Sequence, residues 1–142
     1  MNPLQVVVDT NVVLSALKSK RGASFRLLKL AGDPRWRMNV SVALLLEYEA
    51  IAKREAVPMH ATVEEANRFI DFLCAACEHR AIYFSWRPQL ADPNDEFILE
   101  LAIAAGASHI ITFNRSDFAS AAQFGINVVE PREFLRIIGE IA

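Results

Sequence analysis

The stretch Val6-Val7-Val8-Asp9-Thr10-Asn11-Val12-Val13-Leu14-Ser15-Ala16-Leu17 decides the fold. Gln5–Val8 is a short apolar run that ends at an aspartate, and reads as a buried strand. Val12, Val13, Ala16 and Leu17 then recur at helical spacing. The chain therefore passes from strand to helix through Asp9-Thr10-Asn11. An ionised Asp9 between Val8 and Val12 is costly to bury unless something compensates its charge. It either caps the helix or serves a site at the strand end, and Thr10 or Asn11 would cap equally well.

Outward from this stretch, strands and helices alternate. Ser24 is placed to cap a helix through about Ala31, broken by Gly32-Asp33-Pro34, and Arg37–Val40 reads as a second strand. Ser41 caps a helix through about Lys53, and Thr62 with Glu65 forms a capping box that opens a helix through about Ala76. Ala81–Phe84 reads as a third strand. Asp92-Pro93-Asn94-Asp95 is a turn and cap before a helix that runs through Ala105 and stops at Gly106. His109–Thr112 and Ile126–Val129 are the fourth and fifth strands, and Pro131 suits the first position of a last helix through about Ile141. Such alternation implies a parallel sheet with helices on both faces. There is no internal repeat or linker, and 142 residues suit one domain, 1–142.

An apolar content of 53% and a charged content of 23% exclude a disordered chain. The net charge of −2 argues against binding nucleic acid through bulk positive charge, but the distribution is uneven. Lys18, Lys20, Arg21, Arg26, Lys29, Arg35 and Arg37, with Asp33 among them, give +6, while the chain from Met38 onward carries −7. No run approaches the ~20 apolar residues of a membrane span. The N-terminus lacks the basic, uninterrupted apolar pattern of a signal peptide, so a cytoplasmic protein without membrane contact is expected. The two cysteines, Cys74 and Cys77, lie at C-x-x-C spacing with His79 nearby, but no second ligand pair exists, and they read as reduced helix thiols.

In parallel α/β sheets, ligands gather beyond the carboxyl ends of the strands. Asp9 follows the first strand, Asp92 and Asp95 the third, and Thr112-Phe113-Asn114-Arg115-Ser116-Asp117 the fourth. Glu47 borders the apolar stripe Leu44, Leu45, Tyr48, Ile51 and Ala52 and needs a partner, whereas Glu49 can pair with Lys53. Taken singly, each acid can be a cap or half of an ion pair. Convergent carboxylates without cations are stable together when they hold hard divalent ions such as Mg²⁺ or Mn²⁺. His60, His79 and His109 show no metal-ligand spacing, and His109 reads as structural.

With Asp9-Thr10-Asn11, Glu47, Asp95 and Asp117 in place, the chain resembles the PIN-domain family, and within it the bacterial PIN-domain toxins of toxin–antitoxin systems. The resemblance is carried by VVVDTNVVLSAL (6–17), SVALLLEYEAI (41–51), DPNDEFILELAIAAGASHIITFNRSDF (92–118) and GINVVEPREFL (125–135). It implies a three-layer α/β/α sandwich with a central parallel sheet of about five strands, an acidic Mg²⁺ or Mn²⁺ pocket, and endoribonuclease activity. The resemblance makes Asp9, Glu47, Asp95 and Asp117 the catalytic metal carboxylates, and Thr10, Asn11, Thr112 and Asn114 pocket hydrogen-bonders. Two departures matter: many PIN domains carry an acid where Asn114 stands, and Asp92 competes with Asp95.

Lys18, Lys20, Arg21 and Arg26 are candidate contacts to RNA phosphates. A small antitoxin and a second copy of the chain are the partners that the resemblance implies. Phe69, Phe72, Trp86 and Phe134 could face such partners, although core packing explains each. One alternative is a non-catalytic PIN domain that binds RNA or protein. A weaker one is a haloacid-dehalogenase-like phosphatase, whose Asp-x-Asp start is broken here by Asn11.

Overall fold

The computed structural model describes residues 2–56, 62–82 and 93–142. Its elements alternate as expected: β1 (Leu4–Val8), α1 (Thr10–Lys18), α2 (Ala23–Leu28), β2 (Trp36–Val40), α3 (Val42–Ala56), α4 (Val63–Ala76), β3 (Glu78–His79), α5 (Pro93–Ala105), β4 (His109–Ile111), a 3₁₀ segment (Arg115–Phe124), β5 (Asn127–Val129) and α6 (Pro131–Ile137). All pairings are parallel, in the order β3-β2-β1-β4-β5. Helices layered on this five-stranded sheet give the three-layer α/β/α architecture. β1 is central, and Val6, Val7 and Val8 are all solvent-free, as a strand covered on both faces requires.

The chain builds outward from β1 to β2 and β3, then returns across the sheet to β4 and β5. The order reverses between β1 and β4, the place where parallel α/β sheets bind ligands beyond their carboxyl ends. Right-handed crossovers put α1–α4 on one face and α5 with the 3₁₀ segment on the other. The packing agrees: α1 meets α2 and α3, α3 meets α4, α2 meets α6, and α5 meets the 3₁₀ segment. Among the described residues, no helix is long and apolar enough to cross a membrane.

Several boundaries differ from the sequence reading. The third strand described is Glu78–His79, ahead of the expected Ala81–Phe84, of which Ala81 and Ile82 are not in a strand: it pairs with Asn39 and Val40, and the Arg80 amide extends the ladder to the Val40 carbonyl at 2.8 Å. Residues 83 and 84 lie outside the described residues, as do His60, Trp86 and Asp92. Gly22, not Ser24, is the N-cap of α2, and Ser24 is buried inside the helix. The last helix ends at Ile137, well before Ile141, and Gly139 follows it at φ 80°. Thr62 caps α4 as expected, with the Glu65 amide donating to Thr62 Oγ1 at 3.0 Å, but the Glu65 carboxylate accepts from the Thr62 hydroxyl at 3.2 Å and so does not complete the box. Ser41 likewise accepts from the Leu44 amide at 3.2 Å.

Phe134 is fully buried against Trp36 and His109, and Phe69 stacks on Phe25, but Phe72 is exposed. Cys74 and Cys77 are free thiols, and burial pushes Cys77 up to about 12, which keeps it a poor nucleophile.

Candidate metal centre

Asp9 leaves β1 at the switch point, with only 8% of its surface exposed. Its amide donates to the Ile111 carbonyl at 2.9 Å, which fixes it beside the end of β4. There Thr112 Oγ1 donates to Asp9 Oδ2 at 2.7 Å. Asp9 occupies the N-cap position of α1, but its side chain accepts no capping hydrogen bond. Capping alone therefore does not account for an acid that is buried and held by Thr112.

Burial pushes the Asp9 carboxyl above the ordinary carboxylate value, and the charge of Asp117 adds to the shift. The Thr112 hydroxyl and the backbone amides of Thr10 and Asn11 pull in the opposite direction and do not cancel it. The Asp117 charge thus reaches Asp9, although Asp117 itself is exposed on the 3₁₀ segment.

Thr10 Oγ1 donates to Glu47 Oε2 at 3.0 Å, which links the start of α1 to the middle of α3. Glu47 is half-buried, as its place on the border of the apolar stripe predicts. The next residue, Tyr48, is fully buried and donates its hydroxyl to the Val8 carbonyl. Sequence reasoning took Tyr48 only for part of the apolar stripe. The signal that could have singled it out is a phenol on a face that otherwise carries only hydrocarbon. Glu49 and Lys53 make no ion pair with each other.

Asn11 and Asn114 close the floor. Asn11 Nδ2 donates to Thr112 Oγ1 at 3.4 Å, the Phe113 amide donates to Asn11 Oδ1 at 3.4 Å, and the Asn114 amide donates to Thr112 Oγ1 at 3.0 Å. Asp95 is half-buried in the first turn of α5. Because α5 ends close before β4, whose first residue lies at the amino edge of the sheet, the start of α5 lies toward the carboxyl edge, the side of Asp9.

The structure therefore joins Asp9, Thr112, Asn11 and Asn114 into one hydrogen-bonded unit, and Thr10 with Glu47 into a second. Among the described residues, no three His, Cys, Asp or Glu side chains stand close enough to form a ready metal cage. The donor set nevertheless suits a hard cation. It is all oxygen, and among the described residues no salt bridge reaches Asp9, Glu47 or Asp117. Among the described residues, this buried carboxylate, raised by desolvation and by a second acid, meets no counter-charge.

The basic stretch does not form one surface. Arg26 meets Glu140 at 3.5 Å, Arg35 meets Asp33 and Glu140 at 2.9 Å each, and Arg37 meets Glu78 at 3.0 Å. Arg26 is thus paired with an acid near the C-terminus while its side chain stays half exposed. Lys18, Lys20 and Arg21 are exposed at and beyond the end of α1, which places Lys18 about 13 Å along the helix from Asp9 at 1.5 Å per residue.

A parallel α/β domain with acids at its switch point carries its chemistry at the carboxyl ends of the strands. The PIN-domain family profile matches residues 5–116, and the chain belongs to that family. PIN domains are generally nucleases, and those nucleases generally use divalent metals. The fold is similar to that of a chain in the crystal structure of VapBC2 from Rickettsia felis, solved bound to a DNA fragment from their promoter. The TM-score is 0.61 at 15% identity, over 88% of this chain and 97% of that one. No curated protein matches in sequence. Family membership removes the basis for the phosphatase alternative.

Proposed function

We propose that this protein, acting as one domain over residues 1–142, is a Mg²⁺- or Mn²⁺-dependent endoribonuclease. The observation that carries this reading is Asp9: it is buried at the switch point, raised by desolvation and by Asp117, and without a cationic partner among the described residues. Asp9, Glu47, Asp95 and Asp117 would hold the metal. When bound, a divalent ion supplies an activated water and stabilises charge on the leaving oxygen of a phosphodiester.

The chain's own residues set the geometry. Thr112 fixes Asp9 Oδ2 and so leaves the direction of that carboxylate little freedom. Thr10 holds Glu47 Oε2, which leaves Oε1 to bind the metal or to accept a proton from the attacking water. Asn11, Thr112 and Asn114 tie the ends of β1 and β4 together, so the two acidic loops keep a fixed separation. Lys18, Lys20 and Arg21 would meet phosphates distant from the cleavage point.

The toxin role and the antitoxin partner are part of the same proposal, as are a homodimer and a cytoplasmic location. The shared fold with a chain of the VapBC2 complex supports the toxin role and the antitoxin partner, while the homodimer and the location rest on the family resemblance alone. A non-catalytic PIN domain is the second reading, favoured only by Asn114 where an acid is common.

The test is cleavage of single-stranded RNA by purified protein with Mn²⁺, set against Asp9→Asn. Cleavage that needs the metal and disappears in the variant supports the proposal. Equal rates for both proteins sink the site assignment. RNA binding without cleavage and without Mn²⁺ binding selects the non-catalytic reading. Growth arrest on expression, rescued by the neighbouring open reading frame, tests the toxin role.

A further inference from the structure

We propose that the Phe113–Ser116 loop grips single-stranded RNA beside the acidic site: Phe113 stacks on a base, and Arg115 contacts a phosphate. This rests on the ribonuclease reading and assigns substrate-binding residues to it.

Phe113 is 41% exposed, although it lies between the buried Thr112 and the Asn114 turn. A single exposed aromatic ring needs no explanation by itself. What sets this one apart is its mounting. Its amide is held by Asn11 Oδ1, the next amide by Thr112 Oγ1, and the Asp117 amide by the Asn114 carbonyl at 3.1 Å. The two side chains that hold the loop also belong to the network that fixes Asp9. The backbone that carries the ring is therefore held in register with the acid, so less ordering entropy is lost when a base stacks on it.

Arg115 follows two residues later, exposed and with no hydrogen bond or ion pair among the described residues. Arg26, Arg35 and Arg37, by contrast, are already paired with acids. Arg115 is thus an uncommitted guanidinium close in sequence to Asp117. It also lines an open cleft of about 400 Å³ with Ser116, Asn127 and Val128, between the 3₁₀ segment and the outer strand β5. A strand laid over Phe113 would continue past Arg115 into that cleft. Stacking on an aromatic ring next to a cation that tracks the backbone is how proteins hold single strands with little sequence preference.

The test is fluorescence anisotropy with a labelled short oligoadenylate RNA in EDTA, so that binding is read without cleavage. Phe113→Ala should weaken binding about fivefold or more, with the salt dependence unchanged, and Phe113→Trp should restore it. Arg115→Gln should lower the slope of log Kd against log salt by about 0.7, the value for one phosphate contact on a single strand. Circular dichroism confirms that these exposed substitutions leave the fold intact.

If the unsubstituted protein cleaves RNA but both variants bind with its affinity and slope, the loop assignment is overturned while the nuclease reading stands. If binding falls as expected but Mn²⁺ supports no cleavage, the loop assignment stands and the nuclease reading fails. A protein that neither binds nor cleaves RNA overturns both.

Discussion

Thr112 and Asp9 leave neighbouring strands at the point where the sheet order reverses, and the threonine hydroxyl donates to Asp9 Oδ2 at 2.7 Å. The same oxygen accepts from the Asn114 amide and the Asn11 side chain. One hydroxyl thus orients the acid and anchors the loop that follows β4.

Thr112→Val keeps the shape and removes the hydroxyl. Asp9 then loses its side-chain donor, and the Asn114 amide loses its acceptor. A hydrogen bond to a charged group contributes about 1.5–3 kcal/mol, so urea unfolding in EDTA should show a loss of about 2 kcal/mol. Thr112→Ser should recover most of it. RNA cleavage should fall in the valine variant and return in the serine variant. Equal stability for the valine and natural proteins would show that the bond contributes little.

Asp9→Asn tests the charge itself. In the folded chain the carboxyl titrates above its ordinary value of 3.8, chiefly because of burial. Between those two values the folded state binds more protons than the unfolded one, so stability falls as pH rises through that window and stays lower at neutral pH. The asparagine variant lacks this penalty and keeps an acceptor for Thr112. In EDTA at neutral pH it should unfold at a higher temperature than the natural protein, with the gap narrowing in acid. Added Mn²⁺ should raise the midpoint of the natural protein and leave the variant nearly unmoved. A variant less stable than the natural protein in EDTA contradicts this account.

The sequence makes the central fold legible because Val6–Val8 and Ile110–Ile111 are apolar runs buried on both faces, and only a covered strand suits them. The third strand is hidden for the opposite reason. Glu78 and His79 form a two-residue edge strand with no apolar run, held by backbone partners on β2, while the apolar residues from Ala81 onward draw the eye past it. Ser24 misleads because a capping residue type can also sit inside a helix when tertiary packing buries it. At the candidate site, the acids announce themselves by following strands, but their separations depend on loop paths that no local pattern encodes. The partners of Arg26 and Arg37 are similarly remote: Glu140 is 114 residues away and Glu78 is 41.

Tyr48→Phe isolates a support that the sequence hid. The buried phenol donates to the carbonyl of Val8, the last residue of β1 before Asp9. Without the hydroxyl, that carbonyl loses a donor in a place closed to water, at a cost of about 1–3 kcal/mol. Thermal or urea unfolding should show that loss. Because Tyr48 adjoins Glu47 on α3, kcat for RNA should fall while KM changes little, the signature of a displaced reacting group and not of lost binding. An unchanged kcat would confine Tyr48 to the core.

His109 gives the acid limb of the stability curve a separable component. It is a buried β4 residue, edge-on to Phe134 at 5.3 Å, with Nδ1 2.7 Å from Ser108 Oγ. Burial lowers its pKa below the ordinary 6.5, and the Glu133 charge opposes this only in part. As pH falls below 6.5, the unfolded chain takes up a proton that the folded chain still refuses. Stability is therefore lost from that point down to the folded value, by at most about 1.4 kcal/mol per pH unit. His109→Asn keeps a polar group near Ser108 and cannot titrate in this range. Urea unfolding of both proteins across mildly acidic pH should show a shallower decline for the variant. Parallel curves would mean that the imidazole becomes protonated in place, and that β4 tolerates the charge.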